Sequence, residues 1–252
     1  MIRLKTRREI DVIRRSGRIT AEALKLVENI VRPGLTTAEV DRQVEDFIRS
    51  RGGRPAFKGY RGFPCCCCIS VNEQLVHGIP GPRVIKPGDL VSVDVGVEIE
   101  KFFSDAAVTV SAGPADELGQ KLMRVTKESL DRAIAVVRPG VRLSTIGRAV
   151  QDHVEAAGFG VVRQMVGHGV GRQIWEEPQV PNFWDDKAGG PDDRALEKGT
   201  VIAIEPMVTA GDYEVETLSD HWTVVTRDRS LCAHFEHTVA ITDDGVEVLT
   251  AP

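Results

Sequence analysis

The sequence predicts a fold of helices and strands that is built from two similar halves. The segment Gly88-Asp-Leu-Val-Ser-Val-Asp94 runs from a glycine through an apolar strand to a carboxylate, and Gly199-Thr-Val-Ile-Ala-Ile-Glu205 repeats that plan at a constant offset (199 − 88 = 205 − 94 = 111). A carboxylate that closes an apolar strand is costly to bury unless it is paired or binds a cation. Its recurrence in register predicts a duplicated unit that brings two acids to one shared site.

Composition and charge limit the class of protein. The chain has 252 residues, of which 42% are hydrophobic and 27% charged, as in ordinary globular proteins. The formal net charge of −5 disfavours nucleic acid as a specific partner, because such a surface repels phosphates. No apolar run reaches the roughly 20 residues that span a bilayer, and the first residues lack a signal-peptide core. We therefore expect a cytoplasmic protein that does not bind membranes.

Each half is predicted to begin with two helices separated by Arg-Pro-Gly. Apolar periodicity indicates a first helix from about Arg8 to Val31, which Arg32-Pro33-Gly34 stops. Thr36-Thr-Ala-Glu39 is then typical of a capping box at the start of a second helix. In the second half, a helix over about 116–137 is followed by Arg138-Pro139-Gly140 and by a further helix.

The ordered set of motifs predicts a single domain over residues 1–252, with repeated halves at about 8–110 and 116–248. The two Arg-Pro-Gly stops are separated by nearly the same offset as the two strands (138 − 32 = 106). The most loop-like stretch is Gly189-Gly-Pro-Asp-Asp193. Adjacent cysteines are poorly placed for disulfides, so Cys65 to Cys68 are predicted to form a strand of small buried thiols.

A hairpin is predicted to place a second carboxylate beside Asp94. The strand that carries Asp94 is followed by Glu98-Ile-Glu-Lys101 and then by a return strand that carries Asp105. A turn centred between Ile99 and Glu100 would put the two aspartates directly opposite each other. Side chains at such positions have Cβ atoms about 5 Å apart, and two like charges there require a proton or a cation between them.

Two further segments add histidines and another acid. In Gln164-Met-Val-Gly-His168-Gly-Val-Gly171, glycines allow the backbone to approach a ligand closely, although an isolated histidine of this kind is more often structural. The same alternative stays open for His77. Glu236 leads into a β-branched strand, and period-two alternation places His234 on its face.

These side chains together predict a dinuclear metal site. Four carboxylates and one imidazole suit two divalent transition ions better than one structural zinc, which prefers four ligands that include thiolates. Paired ions typically lie about 3.5–4 Å apart and acidify a water for attack on a carbonyl or phosphoryl group. The predicted ligands are Asp94, Asp105, His168, Glu205 and Glu236.

The chain resembles the type I methionine aminopeptidases, which share the pita-bread fold with creatinase and prolidase. The resemblance covers nearly the whole chain, and it implies an α+β pita-bread fold with an internal pseudo-two-fold and central antiparallel sheets covered by helices. The matching motifs are Gly-Phe-Pro64, Cys-Ile-Ser-Val-Asn72, His-Gly-Ile-Pro80, Gly-Asp-Leu-Val-Ser-Val-Asp94, Gly-His-Gly-Val-Gly171, Glu-Glu-Pro-Gln-Val180, Ile-Glu-Pro-Met207 and Phe-Glu-His-Thr238.

The resemblance implies an enzyme that removes the initiator methionine from nascent proteins and peptides with a water activated by two divalent ions, of Co, Mn, Fe or Zn. It implies a monomer that acts on nascent-chain N-termini and associates transiently with the ribosome. By this likeness Asp94 chelates one ion, His168 and Glu205 hold the other, and Asp105 and Glu236 bridge them. Glu205 is the implied proton shuttle.

The resemblance also implies a substrate site. His77 is expected to contact the substrate near the scissile bond. The expected methionine pocket is apolar, as suits a thioether. Its implied lining is Tyr60, Phe63, Cys68 and Trp222, with Phe57 as a further candidate.

The chain departs from the family pattern beside the predicted metal site. Seven residues after His168, where a second histidine is usual, stands Trp175, whose indole has one N–H donor and no acceptor. Loss of one oxyanion-type donor typically costs about 3–4 kcal/mol, or about 10²–10³ in rate. His234 replaces a usual glutamine, and Gly96 a common threonine. We hypothesise that His234 contacts the substrate and partly replaces the missing histidine.

Three alternatives to an ordinary methionine aminopeptidase stay open. The chain could be a metal-binding paralogue with weakened activity or altered specificity, as Trp175 suggests. It could be a pita-bread binding module without metal, against which the retention of all five ligands argues. It could also have a prolidase-like specificity, which only an assay on Met-x and x-Pro peptides decides.

Overall fold

The structure is a computed structural model that describes residues 2–185 and 193–251. Two helices and a set of strands come first, and two more helices and a second set of strands follow. The predicted loop at 189–193 lies outside the described residues, except for Asp193. Within the described ranges, no helix is both long and apolar enough to cross a membrane.

The helices of the described residues begin and end within two residues of their predicted positions. Each half contributes one long and one shorter helix before its strands. Thr36 and Glu39 form the predicted capping box, in which each side chain accepts a hydrogen bond from the other's backbone N–H. The four helices are α1 (Arg7–Ile30), α2 (Thr37–Ser50), α3 (Glu117–Ala135) and α4 (Leu143–Ala156).

The strands are short, apart from one long hairpin formed by β4 and β5. A 3-10 turn at Tyr60–Gly62 lies among those of the first half. In the described residues the strands are β1 (Arg54–Pro55), β2 (Cys68–Val71), β3 (Gln74–Val76), β4 (Leu90–Ile99), β5 (Phe102–Ser111), β6 (Gly160–Val161), β7 (Gly167–Gly169), β8 (Glu176–Val180), β9 (Val201–Ile204), β10 (Met207–Thr209), β11 (Val215–Thr217), β12 (Val224–Thr226), β13 (Cys232–His234), β14 (Glu236–Thr242) and β15 (Gly245–Val248).

The two halves meet in the middle of one antiparallel sheet. Its strand order is β1-β4-β5-β14-β9-β7-β8, with β2 added on β4 and β15 added on β14. The first half ends at β5 and the second half supplies the neighbouring β14. α1 packs against β4 and β5, and α3 packs against β9, β10, β13 and β14. The prediction of an α+β fold with a central antiparallel sheet covered by helices is confirmed.

The strand register shows the internal pseudo-two-fold. In the first half, Gly96 pairs with Asp105 on the neighbouring strand. In the second half, Met207 pairs with His234. The members of the second pair follow those of the first by 111 positions on one strand (207 − 96) and by 129 positions on the other (234 − 105). His234 therefore takes in the second half the position that Asp105 takes in the first.

The prediction that Asp94 and Asp105 lie directly opposite each other is wrong. The hairpin turns at Glu100 and Lys101, whose φ angles of 50° and 66° fit the two-residue turn that matches strand twist. Asp94 therefore pairs with Ala107. The turn centre is one residue later than predicted, so the residue paired with any position of β4 is two places further along β5. A shift of two places keeps a side chain on the same face of the sheet, and the two aspartates are therefore diagonal neighbours on one face.

The four-cysteine run is a bend and not the predicted strand. Only Cys68 lies in a strand, and Cys65 is half-buried while the three cysteines after it are buried. The backbone N–H groups of Cys66 and Cys67 both donate to Asp41 Oδ1 at 2.9 Å. This carboxylate on α2 replaces the backbone partners that a strand would supply.

Two threonine hydroxyls join the halves at the sheet centre. Thr238 Oγ1 donates to the carbonyl of Asp105 at 2.7 Å and accepts the N–H of Asp105 at 2.9 Å. Thr109 Oγ1 does the same for His234, at 2.8 and 2.9 Å. In the described residues, strands β5 and β14 are paired at two positions only, Ala107 with Glu236 and Ala106 with His237. The hydroxyls thus satisfy the buried backbone groups at either end of this short ladder.

Replacement of Thr238 by valine is expected to destabilise the protein. The change keeps the shape of the side chain but leaves the N–H and C=O of Asp105 buried without these partners, which costs about 1–3 kcal/mol. Urea denaturation of the metal-free protein measures the loss. Thr217→Val is the matched control, because Thr217 lies on a strand and is exposed. Equal stability of the two variants would contradict the role of the hydroxyl.

Candidate metal centre and substrate cavity

The structure brings the five predicted metal ligands together from five places in the sheet. Asp94 and Asp105 come from the long hairpin, His168 from β7, and Glu236 from the first position of β14. Glu205 directly follows β9. The imidazole Nε2 of His168 lies 3.7 Å from Asp105 Oδ2 and 3.6 Å from Glu205 Oε1.

The chemistry of this cluster fits divalent cations. Ligand atoms of Asp105, His168 and Glu236 all lie within 4.8 Å of one another. Among the described residues, Asp94 Oδ1, Asp105 Oδ1 and Glu236 Oε1 are buried without a hydrogen-bond partner. Buried anionic oxygens are costly unless a cation or a donor satisfies them. Carboxylates with one imidazole are donors that suit divalent first-row metals.

Burial and mutual repulsion bias these carboxylates towards their protonated forms. Burial raises the pKa of Asp94 to about 6 and the pKa of Glu205 to about 7. Burial, and after it the nearby carboxylates, raises the pKa values of Asp105 and Glu236 well above their usual range. Without cations the cluster therefore holds protons, and binding of cations would release them.

Glycines hold His168 in a close-packed strand. A Cβ on Gly167 would lie 2.4 Å from the carbonyl oxygen of Ala203, and one on Gly169 would lie 2.2 Å from that of Glu177. The His168 Nδ1 lies 3.0 Å from the carbonyl oxygen of Gly169. With Nδ1–H as the donor, Nε2 presents its lone pair to the carboxylates, which is the usual orientation of a metal-binding histidine.

A mainly apolar cavity opens onto the carboxylates and contains the predicted pocket residues. The ring of Trp222 packs edge-on against Phe63 at 5.1 Å between ring centroids. Ile174 and Arg61 also line the cavity and were not predicted, because a loop and a single 3-10 turn show no periodic spacing. The side chains lining the cavity away from the metal ligands are Phe57, Tyr60, Arg61, Phe63, Cys68, His77, Ile174, Trp175 and Trp222.

His77 lies at the cavity in a strained backbone conformation. Its φ of 58° is in the left-handed region, which is uncommon for residues other than glycine and often occurs at functional sites. Its ring lies 6.4 Å from that of Trp222 and 6.5 Å from that of Trp175. Burial lowers the pKa of His77 to about 4, so its imidazole is neutral at pH 7.

Trp175 forms part of the cavity wall beside the metal centre. Its ring centroid lies 5.2 Å from that of His168, and the residue is 42% exposed. The next residue, Glu176, is tied down by a buried ion pair with Lys5 at 2.8 Å. Glu176 also accepts the backbone N–H of Arg172 at 2.8 Å. The loop that carries the indole is thus anchored to the N-terminal segment.

His234 does not contact the described cavity. Its Nε2 lies 3.6 Å from Glu205 Oε2 and 3.9 Å from Glu236 Oε2, and the side chain is buried. The alternation along the strand did predict its common face with Glu236. The residues that line the cavity do not include His234, and its contact with the substrate stays a prediction.

Phe57 explains the departure at Gly96. A Cβ on Gly96 would lie 2.8 Å from Cε1 of Phe57 and 2.9 Å from the Cβ of Ala56. Both contacts are too short for any residue with a side chain. The family's common threonine at this position cannot coexist with Phe57 as it is placed in this cavity.

Comparison with known proteins gives a consistent family. Residues 11–243 match the profile of metallopeptidase family M24. The chain is 50% identical over 250 residues to a methionine aminopeptidase of Clostridium perfringens, with 99% of each chain covered. It is 47% identical over 252 residues to methionine aminopeptidase 1 of Bacillus subtilis, again with 99% of each covered.

Solved structures agree in fold. The crystal structure of a methionine aminopeptidase from Thermotoga maritima matches with a TM-score of 0.95 and 46% identity, and 100% of each chain is covered. The prolidase from Pyrococcus furiosus matches with a TM-score of 0.78 and 24% identity, over 99% of this chain and 65% of that one. The prolidase match shows the common fold alone.

The metal-free protein is expected to lose stability as the pH rises. The native carboxyl groups have raised pKa values, so the native state binds protons that the unfolded chain has already released. The buried histidines His77, His168, His234 and His237 have lowered pKa values and oppose this slope below their unfolded pKa of about 6.5, so the net loss is expected as the pH rises from about 6.5 past the native value of Glu205 near 7. Urea denaturation with a chelator measures this slope. Metal-loaded protein is the control, and a rise in chelated stability over this range would contradict the expectation.

Proposed function

The chain belongs to metallopeptidase family M24, and from that premise we propose that it removes the N-terminal methionine from peptides and nascent proteins. The observation that carries this proposal is an apolar aromatic cavity that opens directly onto a cluster of metal-ligand side chains. An unbranched thioether side chain fits such a cavity, while the adjacent peptide bond lies at the cluster. Relatives named methionine aminopeptidase, 43–50% identical, support it.

Two divalent ions fit the ligand set. Asp94 would hold one ion, His168 and Glu205 would hold the other, and Asp105 and Glu236 would contact both. Four carboxylates offset the charge of two divalent ions. When bound, the ions polarise the peptide carbonyl and lower the pKa of a water. Co, Mn, Fe and Zn are all compatible with these donors.

The chain's own residues supply binding and proton transfer. The family resemblance makes Glu205 the proton shuttle, and its carboxylate beside His168 would pass a proton from the water to the departing amine. His77 is neutral and can hydrogen-bond the substrate near the scissile bond. Phe63 and Trp222 with their neighbours hold the methionine side chain and exclude water from it.

Trp175 favours a second candidate, a metal-binding paralogue with weakened activity or altered specificity. The indole N–H can donate one hydrogen bond but cannot accept one or exchange a proton. At position 175 of the cavity wall, this chain therefore has no side chain that can exchange a proton with the substrate. We propose methionine removal at a lower rate as the function that reconciles the retained ligands with this substitution.

The proposal extends to the setting of the enzyme. Its substrates would be the N-termini of nascent chains, which are first accessible at the ribosome. We therefore propose a cytoplasmic monomer that associates transiently with ribosomes. Analytical ultracentrifugation and co-sedimentation with ribosomes test these two features separately from activity.

A matrix of metals and peptides tests the proposed reaction. Wild-type protein reconstituted with Co²⁺, Mn²⁺, Fe²⁺ or Zn²⁺ is expected to release methionine from Met-Ala-Ser and to leave an x-Pro peptide intact. Asp105→Ala removes a ligand and should lower kcat/KM by more than about 100-fold. Asp244→Ala, at an exposed acid, is the matched control.

Two results would reject the proposed function. Binding of much less than one equivalent of metal after reconstitution would indicate a binding module. Preferred cleavage of x-Pro peptides would indicate a prolidase-like enzyme.

Replacement of Trp175 by histidine is expected to raise activity. A histidine restores a neutral donor and acceptor beside His168, and one such group is typically worth about 10²–10³ in kcat. Hydrolysis of Met-Ala-Ser by metal-saturated protein measures the gain. Trp184→His is the matched control, because Trp184 packs on the hydrophobic core of the second half. No gain in kcat at full metal loading would show that the indole does not limit the reaction.

A further inference from the structure

His234 presents an unsatisfied nitrogen to the metal-ligand carboxylates. Its side chain is 2% exposed, and its Nε2 has no hydrogen-bond partner among the described residues. The distances of 3.6 Å to Glu205 and 3.9 Å to Glu236 are too long for hydrogen bonds. A buried imidazole nitrogen that faces two carboxylates without bonding either needs something between them.

His234 and His168 stand in the same relation to Glu205. One carboxylate oxygen lies 3.6 Å from Nε2 of His168, and the other lies 3.6 Å from Nε2 of His234. Two ligand atoms about 2.1 Å from a tetrahedral ion lie about 3.4 Å apart. The two imidazoles therefore face different oxygens of Glu205, and the spacing between each imidazole and its oxygen suits two ligands of one ion.

The internal pseudo-two-fold gives an independent reason. Asp105 and His234 occupy equivalent positions, since Asp105 pairs with Gly96 as His234 pairs with Met207. Their backbones are fixed in the same way, by hydroxyls of threonines that are themselves equivalent (238 − 109 = 234 − 105). His234 therefore projects towards the centre of the site from the place where the other half positions a predicted ligand.

We propose that His234 Nε2 is a sixth ligand of the metal centre and shares an ion with Glu205 and Glu236. Ligand atoms of these three residues lie within 4.8 Å of one another, as do those of Asp105, His168 and Glu236. The two sets share Glu236, and each contains one imidazole and two carboxylates. This inference rests on the proposed function only in its need for a dinuclear site.

A second imidazole changes which metals the site prefers. Imidazole nitrogen favours zinc, iron and other nitrogen-binding ions, while an all-carboxylate set favours manganese and magnesium. The chain should bind Zn²⁺ more strongly, relative to Mn²⁺, than a site with one imidazole does. Ligation also uses the Nε2 lone pair, so His234 is then unavailable to replace the missing histidine in proton transfer.

His234→Gln tests the proposal without a substrate. Glutamine is the residue that the family resemblance gives at this position, so the variant is expected to fold. X-ray absorption spectra of the protein loaded with two equivalents of Zn²⁺ count imidazole ligands by their outer-shell scattering. Titration calorimetry with Zn²⁺ and Mn²⁺ measures affinity. We expect two imidazoles per pair of ions in wild type and one in the variant, with Zn²⁺ affinity lowered by more than about 100-fold at one site.

His237→Gln is the matched control. His237 follows His234 by three residues and faces away from the site. Its Nδ1 lies 2.9 Å from Thr250 Oγ1. This control should keep both imidazoles and wild-type affinity. Circular dichroism of all metal-free proteins verifies folding.

Three outcomes would overturn the inference. One imidazole in wild-type protein would do so, as would a Zn²⁺ affinity of His234→Gln within about tenfold of wild type. A large loss of affinity with an unchanged imidazole count would show that His234 acts through Glu205 and not as a ligand. Failure of wild type to bind two ions would instead reject the dinuclear site itself.

Discussion

The convergence of four carboxylates, two buried and two half-buried, at the centre of one sheet is the constraint on which the rest of the structure depends. Such a cluster is stable only with protons or cations between its members, because like charges repel strongly in a poorly solvated interior. The two halves, their shared strand register and the threonine hydroxyls that join them all fix where these carboxylates lie. Asp105 illustrates this, since Thr238 from the other half satisfies both of its backbone groups.

The sequence was most informative where a physical conflict was visible in it. In the sequence, Asp94 and Glu205 each follow an apolar run that starts at a glycine, so the site and the duplication could both be predicted, although β4 continues past Asp94 to Ile99. The hairpin was placed one residue too early, because the left-handed conformations of Glu100 and Lys101 leave no mark in the hydrophobic pattern. The error did no harm to the site prediction, since a shift of two residues keeps a side chain on its face. Ile174 was not predicted, because irregular loops have no periodicity.

The departures from the family resemblance at Trp175 and Gly96 lie on the substrate side of the site, while the five predicted metal ligands match it. A ligand carboxylate cannot be exchanged without leaving its neighbours uncompensated, so the metal cluster tolerates little variation. A cavity wall only has to fill space, so a larger side chain at one position can be accommodated by a smaller one at its neighbour. Phe57 and Gly96 are such a pair, because the ring of one occupies the volume that a side chain on the other would need. Trp175 is placed in the same wall, beside His168.

The duplication also explains why the ligands are distributed unequally between the halves. Each half offers two inward positions, at Asp105 and Ala107 on β5 in the first half, and at the end of β13 (His234) and the start of β14 (Glu236) in the second. Ala107 pairs directly with both Asp94 and Glu236 in the sheet, so a long side chain there would compete with two carboxylates for the same volume. His234 pairs with Met207 and meets no such conflict at its own position. The second half therefore has room for the proposed further ligand, whereas a long side chain at Ala107 in the first half would crowd the carboxylates of Asp94 and Glu236.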